Sequence, residues 1–147
     1  MYSVDVIAFL QAREQALSDV SRVLKVEGVL CTSNFYYRRA LSDKMIIDVY
    51  SAIGFKPDPA STLHYWYDFL GKAGLELDQE KDYELSSRSY DELKDNLRRY
   101  IRIENKFICS LEENIQDAFY ERYLAIRAPL NAQRDYQGVT VQLWRKK

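Results

Sequence analysis

The longest uninterrupted feature of the sequence is an amphipathic stretch over residues 89–127, which contains no glycine or proline. Ser89 followed by Glu92 is a capping-box pattern, in which each side chain accepts a hydrogen bond from a free N–H of the first turn. Apolar residues then recur at spacings of three and four, which predicts helix over up to about ten turns. The pattern leaves open whether the stretch forms one helix or two. The apolar positions are Leu93, Leu97, Ile101, Ile108, Leu111, Ile115, Ala118 and Ile126.

Two charged residues, Glu104 and Arg122, interrupt this apolar stripe. A single helix would place both along one line, because their separation is a whole number of turns. Charges in a helix seam destabilise unless they are paired, and a pair across antiparallel helices sets the register. The alternative is a solvated face without a partner. The residues predicted to form a self-association interface are Glu104, Ile108, Leu111, Ile115 and Arg122.

Composition and length predict one soluble domain over residues 1–147. Hydrophobic residues make up 47% of the chain, which is enough for a folded core. The net charge of −1 gives no whole-protein argument for binding nucleic acid or membranes. Two cysteines without a CxxC motif indicate a reducing compartment. No signal peptide and no apolar run long enough to span a membrane is found, so we expect a cytoplasmic protein.

Three shorter helices are predicted ahead of the long stretch. The first covers residues 3–26, with Ser3 and Asp5 capping its start. The second begins at Ser33 or Asn34 and ends at residue 53, with Gly54 just beyond it. The third begins at residue 58, where an Asp-Pro pair has the N-cap and first-turn pattern, and ends near residue 71.

Two segments have the alternation of a β-strand. Residues 75–85 place acids at every second position, which indicates either a strand solvated on one face or an acidic linker. Residues 139–144 alternate in the same way and are followed by a basic tail, residues 145–147. If the two segments pair, they form a two-stranded ribbon that has to lie on helices, since such a ribbon is marginal alone.

Aromatic residues and arginines are interleaved over residues 35–39. Such a patch can stack bases and contact phosphates, although tyrosines commonly pack under neighbouring arginine stems instead. A basic row further along the chain, which includes Arg98 and Arg102, extends this alternative prediction. The residues predicted to bind nucleic acid under it are Tyr36, Tyr37, Arg38, Arg39, Arg98 and Arg102.

No catalytic, cofactor-binding or metal-ligating residue is predicted. His64, the only histidine, and Asp68 are one turn apart on a helix surface, and no nucleophile is placed beside them by the sequence. Di-iron bundles need Glu-x-x-His pairs, and His64 follows Ser61 at that spacing. Zinc sites, P-loops and dinucleotide-binding glycine motifs also lack their residues. No cofactor is therefore expected.

Together these patterns predict an all-α fold, a bundle of about four helices with one long C-terminal helix and at most a minor two-stranded ribbon. The function they favour is that of a non-enzymatic interaction or assembly protein, acting through helix-mediated self-association or a protein partner. A nucleic-acid-associated regulator and a helical-bundle enzyme of unknown chemistry are the alternatives.

Overall fold

The computed structural model describes residues 1–4 and 6–147 and divides them into two compact units. Unit 1 comprises Met1–Ala40, Asp58–Leu85 and Tyr136–Lys147. Unit 2 comprises Leu41–Pro57 and Ser86–Asp135. A single domain over residues 1–147 stays a prediction.

Strands and helices alternate along the first half of the chain, and helices predominate in the second. Short 3-10 segments lie at Ile7–Phe9 and Arg134–Tyr136, and a π-helical segment lies at Tyr100–Glu104. The strands are β1 (Tyr2–Val4), β2 (Val29–Tyr37), β3 (Leu75–Glu84) and β4 (Gln137–Lys146). The helices are α1 (Arg13–Val23), α2 (Asp43–Ile53), α3 (Leu63–Gly71), α4 (Tyr90–Arg99), α5 (Lys106–Cys109) and α6 (Glu113–Ala132).

Unit 1 is built on a four-stranded sheet with the order β1-β2-β4-β3. Strands β1 and β2 are parallel and are connected through α1, which makes a β–α–β unit. Strand β4, the last in the chain, inserts between β2 and β3 and runs antiparallel to both. The sheet is therefore mixed, with a parallel pair at one edge and an antiparallel pair at the other.

The two faces of this sheet differ in burial. Burial alternates along β2 and β4, so that every second side chain is buried and those between are more exposed. The buried side chains face α1 and α3, which contribute Leu17, Trp66 and Leu70 to one core with Leu30 and Trp144 of the sheet. We call this side the covered face. The opposite side, the open face, carries Cys31, Phe35, Val139, Val141 and Leu143.

The all-α prediction is therefore wrong, although 52% of the chain is helical. Residues 29–32 were expected to lie between two helices, and the second helix was expected to begin at Ser33 or Asn34, yet residues 29–37 form the central strand β2. The β-branched and aromatic side chains of this segment favour a strand. It pairs with β1 on one side and, on the other, with β4, which lies about a hundred residues later in the chain.

All three predicted shorter helices begin later than the sequence pattern indicates. In residues 3–26, regular α-helix begins only at Arg13, and Ser3 lies in β1. Asp5, predicted as a cap, lies outside the described residues. The second helix is capped by Ser42, not by Ser33 or Asn34, although Gly54 ends it in the left-handed conformation as expected. The third is capped by Thr62, whose Oγ1 accepts from the Tyr65 N–H.

Unit 2 contains α2 and the helices of the long amphipathic stretch. Within unit 2, both α2 and α4 pack against α6. The stretch is broken at two places, neither of which is a glycine or proline. Asn105 has extended backbone and caps α5, and Glu112 has extended backbone before α6. The capping box of Ser89 and Glu92 is present as predicted. Asp135 accepts hydrogen bonds from the backbone N–H and the hydroxyl of Ser87. These bonds join the two ends of the Ser86–Asp135 part of unit 2.

The two alternating segments, for which the sequence left a paired strand and an acidic linker open, pair in the structure. Strand β3 pairs with β4 in antiparallel register, and the basic tail reaches acids of β3: Arg145 binds Asp78 and Lys147 binds Glu76. The ribbon is nevertheless half of a four-stranded sheet. A register shift between Leu77 and Gln79 also separates the acids, so they do not form one continuous acidic face.

Within the described part of the chain, no helix is both long and apolar enough to cross a bilayer.

Candidate functional site

The parallel strands β1 and β2 point their carboxyl ends toward the same edge of the unit 1 sheet, with β1 ending opposite Ser33 and β2 continuing to Tyr37. In open α/β sheets, ligands bind outside the carboxyl ends of parallel strands, where the chain leaves the sheet. The segment after β1 contains the 3-10 turn Ile7–Phe9, and β2 is followed by Arg38 and Arg39. These two segments form the strand-end site, our candidate functional site.

The segment after β1 presents apolar side chains to solvent. Ile7 is buried in the core and anchors the segment. Val6, Phe9 and Leu10 are exposed by 53%, 59% and 38% of their surface. Three exposed large apolar side chains within five residues are unusual at a strand end and mark a surface suited to a ligand or another polypeptide.

The segment at the end of β2 is held firmly by polar contacts within unit 1. The backbone N–H groups of Tyr37 and Arg38 donate to the carbonyls of Ser61 and Tyr136, both at short distance (2.9 and 2.8 Å). The Arg38 guanidinium binds the Glu84 carboxylate. The Arg39 guanidinium lies over the Tyr136 ring, 4.9 Å from its centroid. Burial raises the pKa of Tyr37, against a hydrogen bond with Gln137 that lowers it.

A hydrogen-bond network crosses the covered face beside this edge. The Tyr36 hydroxyl donates to Asp82 at 2.7 Å. Glu80 accepts three hydrogen bonds, from the Tyr67 hydroxyl at 2.6 Å, the Thr140 hydroxyl at 2.8 Å and the Gln142 amide at 2.7 Å. The network joins β2, β3, β4 and α3, and so it holds the end of β2 in place.

The network shifts the pKa values of its members. Burial and the Asp82 carboxylate raise the pKa of Tyr36 to about 12, and burial and Glu80 do the same for Tyr67. Burial opposes ionisation of Glu80, but its hydrogen bonds outweigh that effect and lower its pKa. Both phenols are therefore neutral donors at physiological pH, and Glu80 is an ionised acceptor. We assign the network to positioning, because each of these polar groups is satisfied by another.

The residues predicted to bind nucleic acid fall into two groups. Tyr36, Tyr37, Arg38 and Arg39 lie at the end of β2 in unit 1, and Tyr36 is buried. Arg98 and Arg102 lie in unit 2, where Arg98 contacts Asp95 and Arg102 contacts Asp117 and Gln116. Arg38, Arg98 and Arg102 each bind an acid of their own unit, and Arg39 lies over the Tyr136 ring. Nucleic-acid binding by these six residues stays a prediction.

The residues predicted to form a self-association interface are spread over several elements of unit 2. Glu104 ends the π-helical segment and binds Arg99, and Ile108 is buried in α5. Leu111 lies between α5 and α6, whereas Ile115 and Arg122 lie in α6. Because the stretch is broken at Asn105 and Glu112, Glu104 and Arg122 do not share one helix line. An interface role for these five residues stays a prediction.

Neither metal ligands nor an enclosed acid–base pair is found in the described residues. No group of three or more His, Cys, Asp or Glu side chains that could hold a metal occurs in residues 1–4 and 6–147. His64 lies 3.4 Å from Asp68, with 82% and 58% of the two side chains exposed, so this is a surface pair.

Val6, Phe9 and Leu10 were not predicted as site residues, because they lie within residues 3–26, where a helix was predicted. The available signal was the strand β2, whose sequence VLCTSNFYY is rich in strand-forming residues and follows Gly28. A strand there, after a helix and a short apolar segment at residues 2–4, would have indicated a β–α–β unit and its ligand edge.

The fold is similar to part of two longer solved structures. A SAM-dependent methyltransferase from Geobacter sulfurreducens matches 99% of this chain with a TM-score of 0.60 and 11% identity, over 57% of its own length. The cyclopropane synthase MmaA2 from Mycobacterium tuberculosis matches 90% of the chain, with a TM-score of 0.59 and 15% identity, over 49% of its length. At these identities the likeness concerns the fold alone.

A much stronger likeness is to the MccD protein. Its crystal structure matches 99% of this chain with a TM-score of 0.86 and 46% sequence identity. The chain spans 60% of the length of MccD. No protein-family model matches the sequence, and no curated protein matches it either.

These comparisons overturn the function favoured by the sequence analysis. A non-enzymatic helical assembly protein and a helical-bundle enzyme both rested on an all-helical fold, and the mixed sheet excludes that premise. Nucleic-acid binding rested on residues 35–39 and on the basic row with Arg98 and Arg102, and it stays a prediction. The two named structures that share the sheet are enzymes.

Proposed function

We propose that this chain is part of an S-adenosylmethionine-dependent group-transfer enzyme, in which the strand-end site contacts the cofactor or the acceptor substrate. The observation that carries the proposal is the fold built on the mixed sheet β1-β2-β4-β3, which matches a SAM-dependent methyltransferase structure over 99% of the chain with a TM-score of 0.60. The strand-end site lies where open α/β sheets bind ligands. The whole enzyme's acceptor is not specified by these residues.

The exposed side chains suit such a ligand in part. Phe9 and its apolar neighbours Val6 and Leu10 offer a surface against which a flat or apolar part of a nucleoside packs. Strand β2, which neighbours β1, continues four residues past its pairing with that strand and ends at Tyr37. When bound, S-adenosylmethionine would supply the transferred group.

The fit to the cofactor is incomplete. Nucleotide-binding α/β sheets bring their backbone close to the ligand through a glycine-rich turn that follows a strand. The glycines of this sequence are residues 28, 54, 71, 74 and 138, and none forms such a motif. We therefore assign contact with the cofactor to the strand-end site and no chemical step to any residue.

Amide NMR of the isotope-labelled protein, titrated with S-adenosylhomocysteine to millimolar concentration, tests the proposal. We expect weak binding, with shifts concentrated in residues 6–10 and 36–39. Phe9→Ala should weaken the binding several-fold. The matched control is Phe107→Ala, another exposed phenylalanine in unit 2, which should leave binding unchanged. Absence of shifts at either segment, or equal effects of both substitutions, would contradict the proposal.

A further inference from the structure

Unit 2 contains a small cavity whose lining is rich in arginine. The cavity has a volume of about 280 Å³, and three parts of unit 2 each contribute one guanidinium to it. Arg88 precedes α4, Arg99 is the last residue of α4, and Arg127 lies in α6. Among the described residues, Glu104 is the one acid of the lining. Three guanidiniums against one carboxylate leave the lining with an excess of two positive charges.

The π-helical segment brings an ion pair and an aromatic ring to this cavity. The Asn105 N–H donates to the Tyr100 carbonyl at 2.9 Å, which is the five-residue hydrogen bond of a π-helix. Arg99 and Glu104 are also five residues apart, and the Arg99 Nε lies 2.8 Å from the Glu104 carboxylate. The Tyr100 ring lies beside Tyr123 of α6, with 6.1 Å between the centroids. Single π-helical turns occur frequently at functional sites. Here the turn neutralises one guanidinium and supplies an aromatic wall.

Arg88 is held in place by α6. The Asn131 Oδ1 accepts from the Arg88 backbone N–H at 3.0 Å, and the Asn131 Nδ2 donates to the Arg88 carbonyl at 2.8 Å. Arg127 and Asn131 are four residues apart in α6 and so lie on the same face of that helix. Asn131 therefore fixes the backbone of Arg88 beside the helix face that carries Arg127.

Neither Arg88 nor Arg127 has an acidic partner for its guanidinium. Within residues 1–4 and 6–147, neither guanidinium makes an ion pair or a hydrogen bond. The acid nearest to Arg88 in the sequence on the α4 side, Glu92, accepts two hydrogen bonds from Ser89. These bonds lower the pKa of Glu92, and the charge of Arg88 adds to that effect. Two unpaired guanidiniums in one cavity repel each other, and a bound anion removes this repulsion.

The charge and size of the cavity specify the kind of anion. The planar guanidinium donates two parallel hydrogen bonds to phosphate or carboxylate oxygens. A phosphate monoester carries about −1.5 to −2 charge at neutral pH and so matches the excess of two, whereas a carboxylate supplies only one. The volume is just below the range of about 300–1,000 Å³ that holds drug-sized ligands. There is therefore room for a phosphoryl group and a small adjoining group, which Tyr100 and Tyr123 suit if it is flat or apolar.

We propose that this cavity is a binding site for a phosphate monoester. The phosphoryl oxygens accept hydrogen bonds from Arg88 and Arg127, and the ester group packs against Tyr100 and Tyr123. All of these residues belong to unit 2, whereas the strand-end site belongs to unit 1. The inference therefore goes beyond the proposed function and does not rest on it.

Isothermal titration calorimetry of the full chain with phenyl phosphate, at low salt and neutral pH, tests the inference. We expect one binding site with a dissociation constant in the millimolar range or tighter. Benzenesulfonate has the same ring and a single charge, and it should bind about fivefold more weakly or less. The unaltered protein thus reports whether the cavity requires a dianion.

Substitution of the two unpaired arginines locates the site. Arg88→Gln and Arg127→Gln should each weaken the binding of phenyl phosphate about tenfold, because each removes charged hydrogen bonds to the phosphoryl group. Arg122→Gln is the matched control, since it removes the same charge from α6 at a position outside the cavity lining. It should change the affinity less than about twofold. Far-UV circular dichroism checks that each variant is folded.

A gain of affinity provides a test that loss of folding cannot imitate. Glu104→Gln removes the one carboxylate of the described lining and releases Arg99 from its ion pair. The binding of phenyl phosphate should become about threefold tighter, because the cavity gains positive charge. Glu121→Gln, at an exposed position of α6, is the control and should leave the affinity unchanged.

Four outcomes would overturn the inference. They are failure of phenyl phosphate to bind at millimolar concentration, equal affinity for benzenesulfonate, equal losses in Arg127→Gln and Arg122→Gln, and weaker binding in Glu104→Gln. S-adenosylhomocysteine is not added in these titrations. Each result therefore bears on the unit 2 cavity alone, and the NMR titration of the strand-end site decides the proposed function separately.

Discussion

The Tyr36 ring lies directly over Gly138, its cross-strand partner between β2 and β4. A Cβ atom at residue 138 would lie 2.5 Å from the Tyr36 Cζ and hydroxyl oxygen, far inside van der Waals contact. The absence of a side chain at Gly138 therefore allows Tyr36 to reach Asp82 across the covered face. This pair connects the end of β2 to β3 and supports the strand-end site.

Gly138→Ala should destabilise the protein by about 1–3 kcal/mol, because the methyl group displaces Tyr36 from Asp82. Urea unfolding followed by circular dichroism measures the loss. Gly71→Ala is the matched control, because residue 71 has open space around it and ends a helix, so alanine there should be neutral or mildly stabilising. In the Tyr36→Ala background the cost of Gly138→Ala should largely vanish. Additive costs would contradict the contact.

Stability should fall as the pH rises from about 10 to about 12. The pKa values of Tyr36 and Tyr67 are raised to about 12 in the folded protein, against about 10 for unfolded tyrosine. Their contribution is complete below pH 10 and is lost as the pH rises through 12, by roughly 1.4 kcal/mol per pH unit for each proton. Unfolding at a series of pH values measures the slope. Tyr36→Phe should flatten it, whereas Tyr50→Phe, at an exposed position, should not.

Glu80→Gln should destabilise the protein at neutral pH by about 1–3 kcal/mol. Glutamine presents an amide donor to Tyr67, Thr140 and Gln142, all of which donate to the carboxylate. The pKa of Glu80 is lowered on folding, so its contribution is present above the unfolded pKa and disappears as the pH falls through the folded pKa. The difference between wild type and variant should therefore shrink at acid pH. Glu121→Gln, on an exposed part of α6, serves as control and should change stability by no more than about 0.5 kcal/mol.

Asn105 should contribute to unit 2 through two separable contacts. Its Oδ1 accepts from the Ile108 N–H as the cap of α5, and its Nδ2 donates to the Tyr100 hydroxyl at 2.8 Å. Asn105→Ala removes both and should cost about 1–2 kcal/mol. Asn105→Asp keeps the cap oxygen and should cost clearly less. Thermal unfolding of both variants measures the two losses of stability. If Asn105→Asp destabilises the protein as much as Asn105→Ala, the cap is not the important contact.

Local signals in the sequence determined the features that depend on neighbours a few residues away. The capping box of Ser89 and Glu92 and the left-handed Gly54 after α2 involve side chains or dihedral angles within one turn, so residue type alone predicts them. The alternation in β3 and β4 also indicated possible strands, although it left an acidic linker open for residues 75–85 and the pairing undecided. These are parts of the fold that any surrounding structure would retain.

Tertiary structure decided the rest. Residues 29–37 form a strand because β1 and β4 satisfy its backbone on both sides, and β4 lies at the opposite end of the chain. No local pattern contains that information, since a strand's hydrogen bonds are made by its partners and a helix's by itself. The break at Asn105 was missed for a different reason: its amide contacts Tyr100 and Ile108, which are near in the chain, but no glycine or proline marks the position. The strand-end site depends on both strands pointing their carboxyl ends toward one edge, so it too appears only when the sheet is assembled.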